Sequence, residues 1–285
     1  MIQPGSVVCC GLTTLDLVQG LDTVPVPGSK MVATYSTVDV GGPAANAART
    51  AALLGSDVVL HTLLGSEPLA RIARDILERD GVTVRDHTPH RDPWAMPVSS
   101  VLVSPDGERT VVSSNASGAP APVPELDPGD AAVVLVDGHH PSLALATIRA
   151  HPHARVLLDG GSWKPALRRI LPEVDVAVVS ADFHAPEDAA ALTAPHVTWG
   201  RSHGAGEVEV TRGGQRWRLP VPRVAVVDTL GAGDVLHGAI AHALASGGAE
   251  DPVEAIRWAI PVASRSCCYR GVTTWVRENP ADATR

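Results

Sequence analysis

Asp228-Thr229-Leu230-Gly231-Ala232-Gly233-Asp234 runs directly into the apolar stretch 235–245, and it is the most informative segment of the chain. Two glycines and a small residue stand where a chain turns sharply, with an acid at the first turn of the helix that follows. N–H groups at such a helix start lack intrahelical partners and carry the positive end of the helix dipole, so they attract a phosphate. Glycine lets the backbone approach that phosphate with no Cβ in the way. The turn itself does not need the acid, which suits a base accepting a proton from an attacking hydroxyl. Asp234 is therefore a candidate catalytic base, and the N–H groups of Gly231, Ala232 and Gly233 a candidate anion hole. The alternative is a Gly-rich loop followed by an acid that merely favours the dipole. It accounts for the carboxylate but not for the glycines before it.

The 285 residues suffice for one large α/β domain or two small ones. With 45% apolar and 19% charged residues the composition is that of a globular chain. No run approaches the ~18 consecutive apolar residues of a membrane span. The opening Met1-Ile2-Gln3-Pro4-Gly5 has neither the basic segment nor the apolar core of an export signal. A formal charge of −8 speaks against a nucleic-acid surface. The four cysteines form two adjacent pairs, Cys9-Cys10 and Cys267-Cys268, without metal-ligand spacing. They read as buried reduced thiols, so the cytoplasm is the expected compartment. His139-His140 follow a strand, and either line a crevice or are ordinary loop residues.

Short β-branched runs at 7–11, 58–63, 132–136, 156–159 and 174–180 alternate with amphipathic stretches at 44–54, 68–80, 143–150 and 164–171. This rhythm predicts a mainly parallel sheet with helices on both faces and ligands at the carboxyl ends of its strands. Segments 24–40 and 97–114 break the rhythm, alternating apolar and polar residues in strand fashion. A turn is expected at Pro105-Asp106-Gly107. Residues 120–128 form a Pro-rich connector.

DTLGAGD and the small-residue helix behind it resemble the C-terminal signature of the PfkB (ribokinase-like) family of carbohydrate kinases. Gly41-Gly42-Pro43-Ala44-Ala45-Asn46-Ala47-Ala48 resembles the family's other signature. The two stand in the usual order and separation, and the resemblance covers nearly the whole chain. It implies a ribokinase-like α/β fold over residues 1–285 as a single domain. Segments 24–40 and 97–114 would form a small β-sheet lid over the acceptor site. It further implies an ATP-dependent sugar kinase that works with Mg²⁺, and leaves room for a monovalent cation.

Other candidates take their roles from the residues and the resemblance together. Asp16, in Gly11-Leu12-Thr13-Thr14-Leu15-Asp16, ends the first strand region, where a carboxylate either accepts hydroxyls in the crevice or caps a turn. The resemblance assigns it to the acceptor sugar. Gly41 and Gly42 permit a close approach at a second helix start, and Asn46 offers both a donor and an acceptor. A tight turn with Pro43 near its start is the plainer reading; the family pattern favours sugar binding. Arg109, in Asp106-Gly107-Glu108-Arg109-Thr110, is similar to a lid arginine of ketohexokinase-type members, although hairpin arginines are commonly just solvated. Thr198 and Gly200, with Gly204 after one extra residue, resemble the family's T-x-G-x-x-G nucleotide strand; Trp199 would be core. Ala263 and Cys267 match positions near the adenine. The family's N-x-x-E is replaced by Ser180-Ala181-Asp182-Phe183. Asp182 or Glu187 would have to substitute, and the metal ligands stay unassigned.

Ser180 in that place, the Gly107–Thr110 stretch and the signature around Asp234 are most similar to ketohexokinase-type members. The implied reaction is phosphorylation of a primary hydroxyl of a fructose-like ketose. Pro43 and Gly28 stand where that subfamily has an Asn and an Asp, which leaves a modified or anionic (sulfo- or carboxy-) sugar open. A nucleoside kinase is a further alternative, and with one Phe and two Tyr the chain offers few aromatics to hold a base. A catalytically silent sugar- or nucleotide-binding regulator is another, against which the intact Asp234 and its glycines speak. The partners implied are the sugar, MgATP and a second copy of the chain, since strands at 32–40 and 98–112 present apolar faces and open edges.

Overall fold

The computed structural model describes residues 5–104, 109–122, 125–186 and 193–278. Its large sheet has nine strands, in the order β13-β12-β11-β10-β9-β8-β1-β4-β5. β1 (Ser6–Cys10), β4 (Asp57–Thr62), β5 (Val82–Asp86), β8 (Val133–Val136), β9 (Arg155–Gly160), β10 (Val176–Ser180) and β11 (Thr198–Ser202) run parallel. β12 (Val208–Arg212) and β13 (Gln215–Leu219) close one edge as antiparallel strands.

Both faces are covered, as a parallel sheet requires. Along β1, Val7 and Cys9 point into one core, against α1 (Pro43–Leu53), α2 (Pro68–Arg79), α5 (Ala232–Ala245) and α6 (Pro252–Ser266). Val8 and Cys10 point into the other, against α3 (Pro141–Ala150) and α4 (Leu167–Ile170). Burial of both cysteines pushes their thiols well above the ordinary range, and all four cysteines are free. Helix α2 shows why its sequence folds as it does. Pro68 opens it, and Ala70, Ala73, Ile76 and Leu77 form one buried stripe. The helix expected at 164–171 is only a turn at α4 followed by a 3₁₀ turn at Leu171–Glu173. Pro165 and Pro172 account for its brevity, since proline removes a donor and clashes with the preceding turn.

A separate four-stranded sheet has the order β3-β2-β6-β7. It comprises β2 (Thr14–Gly20), β3 (Tyr35–Gly41), β6 (Val98–Val103) and β7 (Arg109–Ser113). Two expectations are corrected here. Strand structure covers only the end of segment 24–40, residues 24–34 being irregular. Asp16 does not end the first strand but lies within β2, level with Asp39 and Ser99. The turn expected at Pro105-Asp106-Gly107, Glu108, Glu187 and part of the 120–128 connector lie outside the described residues. Among those described, no helix is long and apolar enough to cross a membrane.

Candidate active site

The segment from 220 to 231 crosses the carboxyl end of the sheet and is pinned before it enters α5. Asp228 folds it, one carboxylate oxygen accepting from the Leu230 N–H at 2.8 Å and the other from the Gly271 N–H at 3.0 Å. The N–H groups of Val227 and Asp228 both donate to the Cys267 carbonyl at the end of α6. Gly231 then turns with φ 73°, and a Cβ there would stand 2.6 Å from Val272. Glycine is required at that position.

Helix α5 starts at Ala232, whose N–H is partly spent on the Thr229 carbonyl at 3.2 Å. The N–H groups of Gly233 and Asp234 have no protein acceptor among the described residues. A Cβ built on Gly233 meets nothing within 4 Å. The loop therefore presents open donors beneath open space, at the positive end of a 14-residue helix. Of the expected donors only Ala232 is partly spent, and the Asp234 N–H adds a further open one.

Asp234 is half-buried beside this space. One of its oxygens accepts from the Asn46 amide at 2.8 Å. Burial, and then the negative charge of Asp159, push its carboxyl up to about 7, against the Asn46 hydrogen bond, which favours the charged form. A carboxyl titrating there is poised to take a proton near neutral pH. Asp159 closes β9 beneath it, and Asp137 follows β8; both are buried. Asp137 accepts from the N–H groups of Leu12 (2.8 Å), Ala44 (3.2 Å) and His139 (2.9 Å). Despite its burial, His139 and Lys164 hold it well below the ordinary carboxylate range. It thereby ties the chain after β1 and the start of α1 to the end of β8. His139 sits beside it, while His140 is buried, edge-on to Trp94, and held down to about 4 by that burial.

Asn46, which bonds Asp234, also lines a cavity of about 340 Å³ together with Asp16, Tyr35, Asp39, Asp228 and Arg270, among others. Asp16 accepts from the Thr14 hydroxyl at 2.6 Å, and burial raises its carboxyl. The glycines of the Gly41-Gly42 signature have a local cause. A Cβ on Gly41 would stand 2.0 Å from the Asp16 carboxylate, and one on Gly42, with φ 95°, 2.4 Å from the Leu12 carbonyl. They admit the protein's own groups; neither is bare backbone facing the cavity. Arg109 donates to the hydroxyl of Thr229, within the loop that leads into α5. It thus reaches the anion-binding side, and the cation on the cavity wall is Arg270, stacked 4.1 Å over the Tyr35 ring.

The expected nucleotide contacts fall in different places. Gly200 is in register with Val178, itself in register with Asp159, and Gly204 lies in the exposed turn beyond β11, at the carboxyl end. Thr198 does not join them. It begins β11 at the opposite end, is 1% exposed and has a buried hydroxyl, so a nucleotide contact through its side chain is corrected. Ala263 and Cys267 are half-buried on the last turns of α6, below the loop. A larger hollow of about 930 Å³, with Arg149, His151, Arg155 and His196 on its wall, opens at the amino ends of β9 and β10, away from Asp234. Among the described residues no three Asp, Glu, His or Cys side chains converge on a metal position. Asp182 is exposed, and Ser180 donates to the Gly161 carbonyl. The described residues form no resident Mg²⁺ site, and an ion arriving on nucleotide phosphates would belong to the substrate.

Sequence reasoning missed Asp159, Asp137 and His237 as members of this site. The first two were visible as acids at or just past the carboxyl ends of expected strands. Nothing local marked His237.

Comparison with known proteins places the fold. Over 285 aligned positions the chain is 25% identical to the ribokinase of Bacillus subtilis (strain 168), covering 92% of each. The fold matches that of Arabidopsis thaliana ribokinase complexed with ribose and ATP (TM-score 0.73, 19% identity, 99% of each chain). It also matches the nucleoside kinase of Methanocaldococcus jannaschii (TM-score 0.70, 16% identity, 96% of this chain and 99% of that one). The family model of the pfkB family carbohydrate kinases matches residues 5–279, and the chain belongs to that family of phosphotransferases acting on alcohol groups.

Proposed function

We propose that the chain transfers the γ-phosphoryl group of ATP to a primary hydroxyl of a fructose-like ketose. The observation that carries this is the position of Asp234. Its carboxyl, raised to about 7, lies in the first turn of the helix whose N–H groups are open and accepts from Asn46, which walls a cavity with Asp16 and Asp39. The acceptor hydroxyl gives its proton to Asp234 as its oxygen bonds to the γ-phosphorus, and the bond to the β-phosphate oxygen breaks to release ADP. The N–H groups of Gly233 and Asp234, with Gly231 and Ala232 behind them, meet the charge on the transferring phosphoryl. Arg109, held at Thr229, adds a cation on that side. Gly200, Gly204, Ala263 and Cys267 border the nucleotide, which brings Mg²⁺ with it. The sheet of β2, β3, β6 and β7 acts as the lid over the acceptor.

The acceptor is assigned to a ketose on the similarity of Ser180 and Arg109 to ketohexokinase-type members. One observation favours an anionic sugar as the second reading: Arg270 faces the cavity, whereas Arg109 does not. A nucleoside fits less well, because the cavity offers a base one aromatic ring, Tyr35, already covered by Arg270. The lid also supports a homodimer. Val38, Val98 and Val112, 50%, 41% and 66% exposed, lie on its face away from the cavity. Acceptor-dependent ADP release, coupled to a spectroscopic readout across neutral sugars, anionic sugars and nucleosides, tests the whole assignment.

A further inference from the structure

His237 lies one turn into α5, 4% exposed, directly behind the anion-binding start of that helix. Its Nδ1 is 2.7 Å from the Gly233 carbonyl oxygen and its Nε2 is 2.9 Å from the Val178 carbonyl oxygen. Carbonyl oxygens only accept, so both ring nitrogens must carry hydrogen to satisfy the two contacts. A ring that makes both contacts is an imidazolium. Its counter-charge is present, because an Asp159 oxygen lies 3.2 Å from Nδ1. This oxygen is buried and has no aligned hydrogen bond of its own, since the Nδ1 hydrogen points at Gly233. Burial raises the Asp159 carboxyl, and the adjacent ring, when charged, opposes that rise.

We propose that His237, held as an imidazolium by Asp159, is a positioning residue for phosphoryl transfer: it fixes the Gly233–Asp234 peptide of the anion hole and sets the ionisation of Asp234. The proposal rests on the kinase reading above. The peptide whose carbonyl His237 grips is the one whose N–H belongs to Asp234 and points out of the helix. A cation on the carbonyl side polarises that peptide and strengthens its N–H as a donor to the phosphoryl oxygens.

The same ion pair acts on the base. Facing Asp234 are Asn46 from α1, Asp137 after β8, Asp159 at the end of β9 and His237 on its own helix. His139 and Lys164 lie farther out, beside Asp137 and Asp159. Asp159 and Asp137 oppose ionisation of Asp234, while His237 and Asn46 favour it. Loss of the His237 charge therefore leaves two buried carboxylates facing each other, and loss of the Asp159 charge relieves Asp234. The two substitutions must move the Asp234 titration in opposite directions. A role confined to packing would not.

The test uses the full-length protein as wild type, His237→Gln and Asp159→Asn. The Asp234 carboxyl titration is followed by ¹³C NMR, alongside the acid limb of kcat/KM. Removal of a charge at this range shifts a neighbour by about one pH unit. The expected midpoint moves up by that amount in H237Q and down in D159N, in both readouts. Nitrogen-15 NMR should show both ring nitrogens protonated in wild type at pH 8; D159N should lose that signature at pH 8 but keep it at the pH of the Asp234 midpoint, so that only the Asp159 charge differs there. A neutral ring at pH 8 in wild type, or both substitutions lowering activity with the Asp234 midpoint unmoved, overturns the proposal. D159N keeps the ring and decides the question if H237Q does not fold. Absence of any phosphoryl transfer in wild type would sink the kinase reading, while the two NMR measurements would still decide the ion pair.

Discussion

Replacing Asp234 by Asn should lower activity and raise stability at the same time. Asn is nearly isosteric, and its oxygen can keep the hydrogen bond from Asn46 that Asp234 accepts at 2.8 Å. What is lost is the proton acceptor, and general bases contribute typically about 10²–10⁴ in rate. We expect kcat to fall about 10³-fold with KM for ATP within a factor of ~3, because the donors of Gly233 and Asp234 remain. The stability effect follows from the raised titration. Burial and Asp159 move the carboxyl from 3.8 to about 7, so the folded chain disfavours the ionised form. Stability from this group is full below about pH 4, falls as pH rises and is lost above pH 7. The shift corresponds to ~4 kcal/mol for a fully enclosed group. For a carboxylate open to solvent on one side it is on the order of 2 kcal/mol. Loss of the favourable dipole contact offsets about 0.3–1 kcal/mol of that. D234N should thus match wild type in Tm at pH 4–5 and exceed it by a few degrees at pH 8. Steady-state kinetics and calorimetry at the two pH values check both halves. Near-normal turnover in D234N, or a Tm lowered at pH 8, would refute the reasoning.

Gly233→Val should leave Tm unchanged within ~2 °C while abolishing transfer, because a Cβ there enters open space that the phosphoryl must occupy; retained activity would place the anion hole elsewhere. Arg109→Ala should cut kcat about 10–100-fold for every acceptor alike, since Arg109 holds Thr229 in the phosphate-side loop. A selective rise in KM for anionic sugars would instead make it a substrate reader, a role the geometry gives to Arg270. Light scattering should find a dimer at micromolar concentration, and Val112→Asp on the outer lid face should split it. A wild-type monomer would count against the lid interface.

The core of the fold was legible because its signals are local. Buried parallel strands read as continuous β-branched runs, and α2 shows its stripe in sequence. The small sheet was half legible. The β6 and β7 alternation reads plainly, but β2 follows β1 after only three residues, Gly11 to Thr13, and was absorbed into the end of that strand. Asp16 was therefore given the right neighbourhood on the wrong element. The start of α5 was fully legible, since a left-handed glycine and an acid in the first turn are written in consecutive residues. The carboxylates beneath Asp234 were not. Asp137, Asp159 and His237 are brought together by β8, β9 and α5, and no spacing records that convergence. Thr198 shows the converse error: the motif was recognisable, but strand register put its side chain at the far end of the sheet.

The most direct test of the account is acceptor-dependent formation of ADP from ATP by the wild-type protein, scanned across fructose-like ketoses, sulfonated and carboxylated sugars, aldoses and nucleosides. The account predicts that a ketose gives the highest kcat/KM, with the phosphate on a primary hydroxyl and an acid limb near pH 7. No acceptor-stimulated ADP release, or a nucleoside outcompeting every sugar, would contradict it.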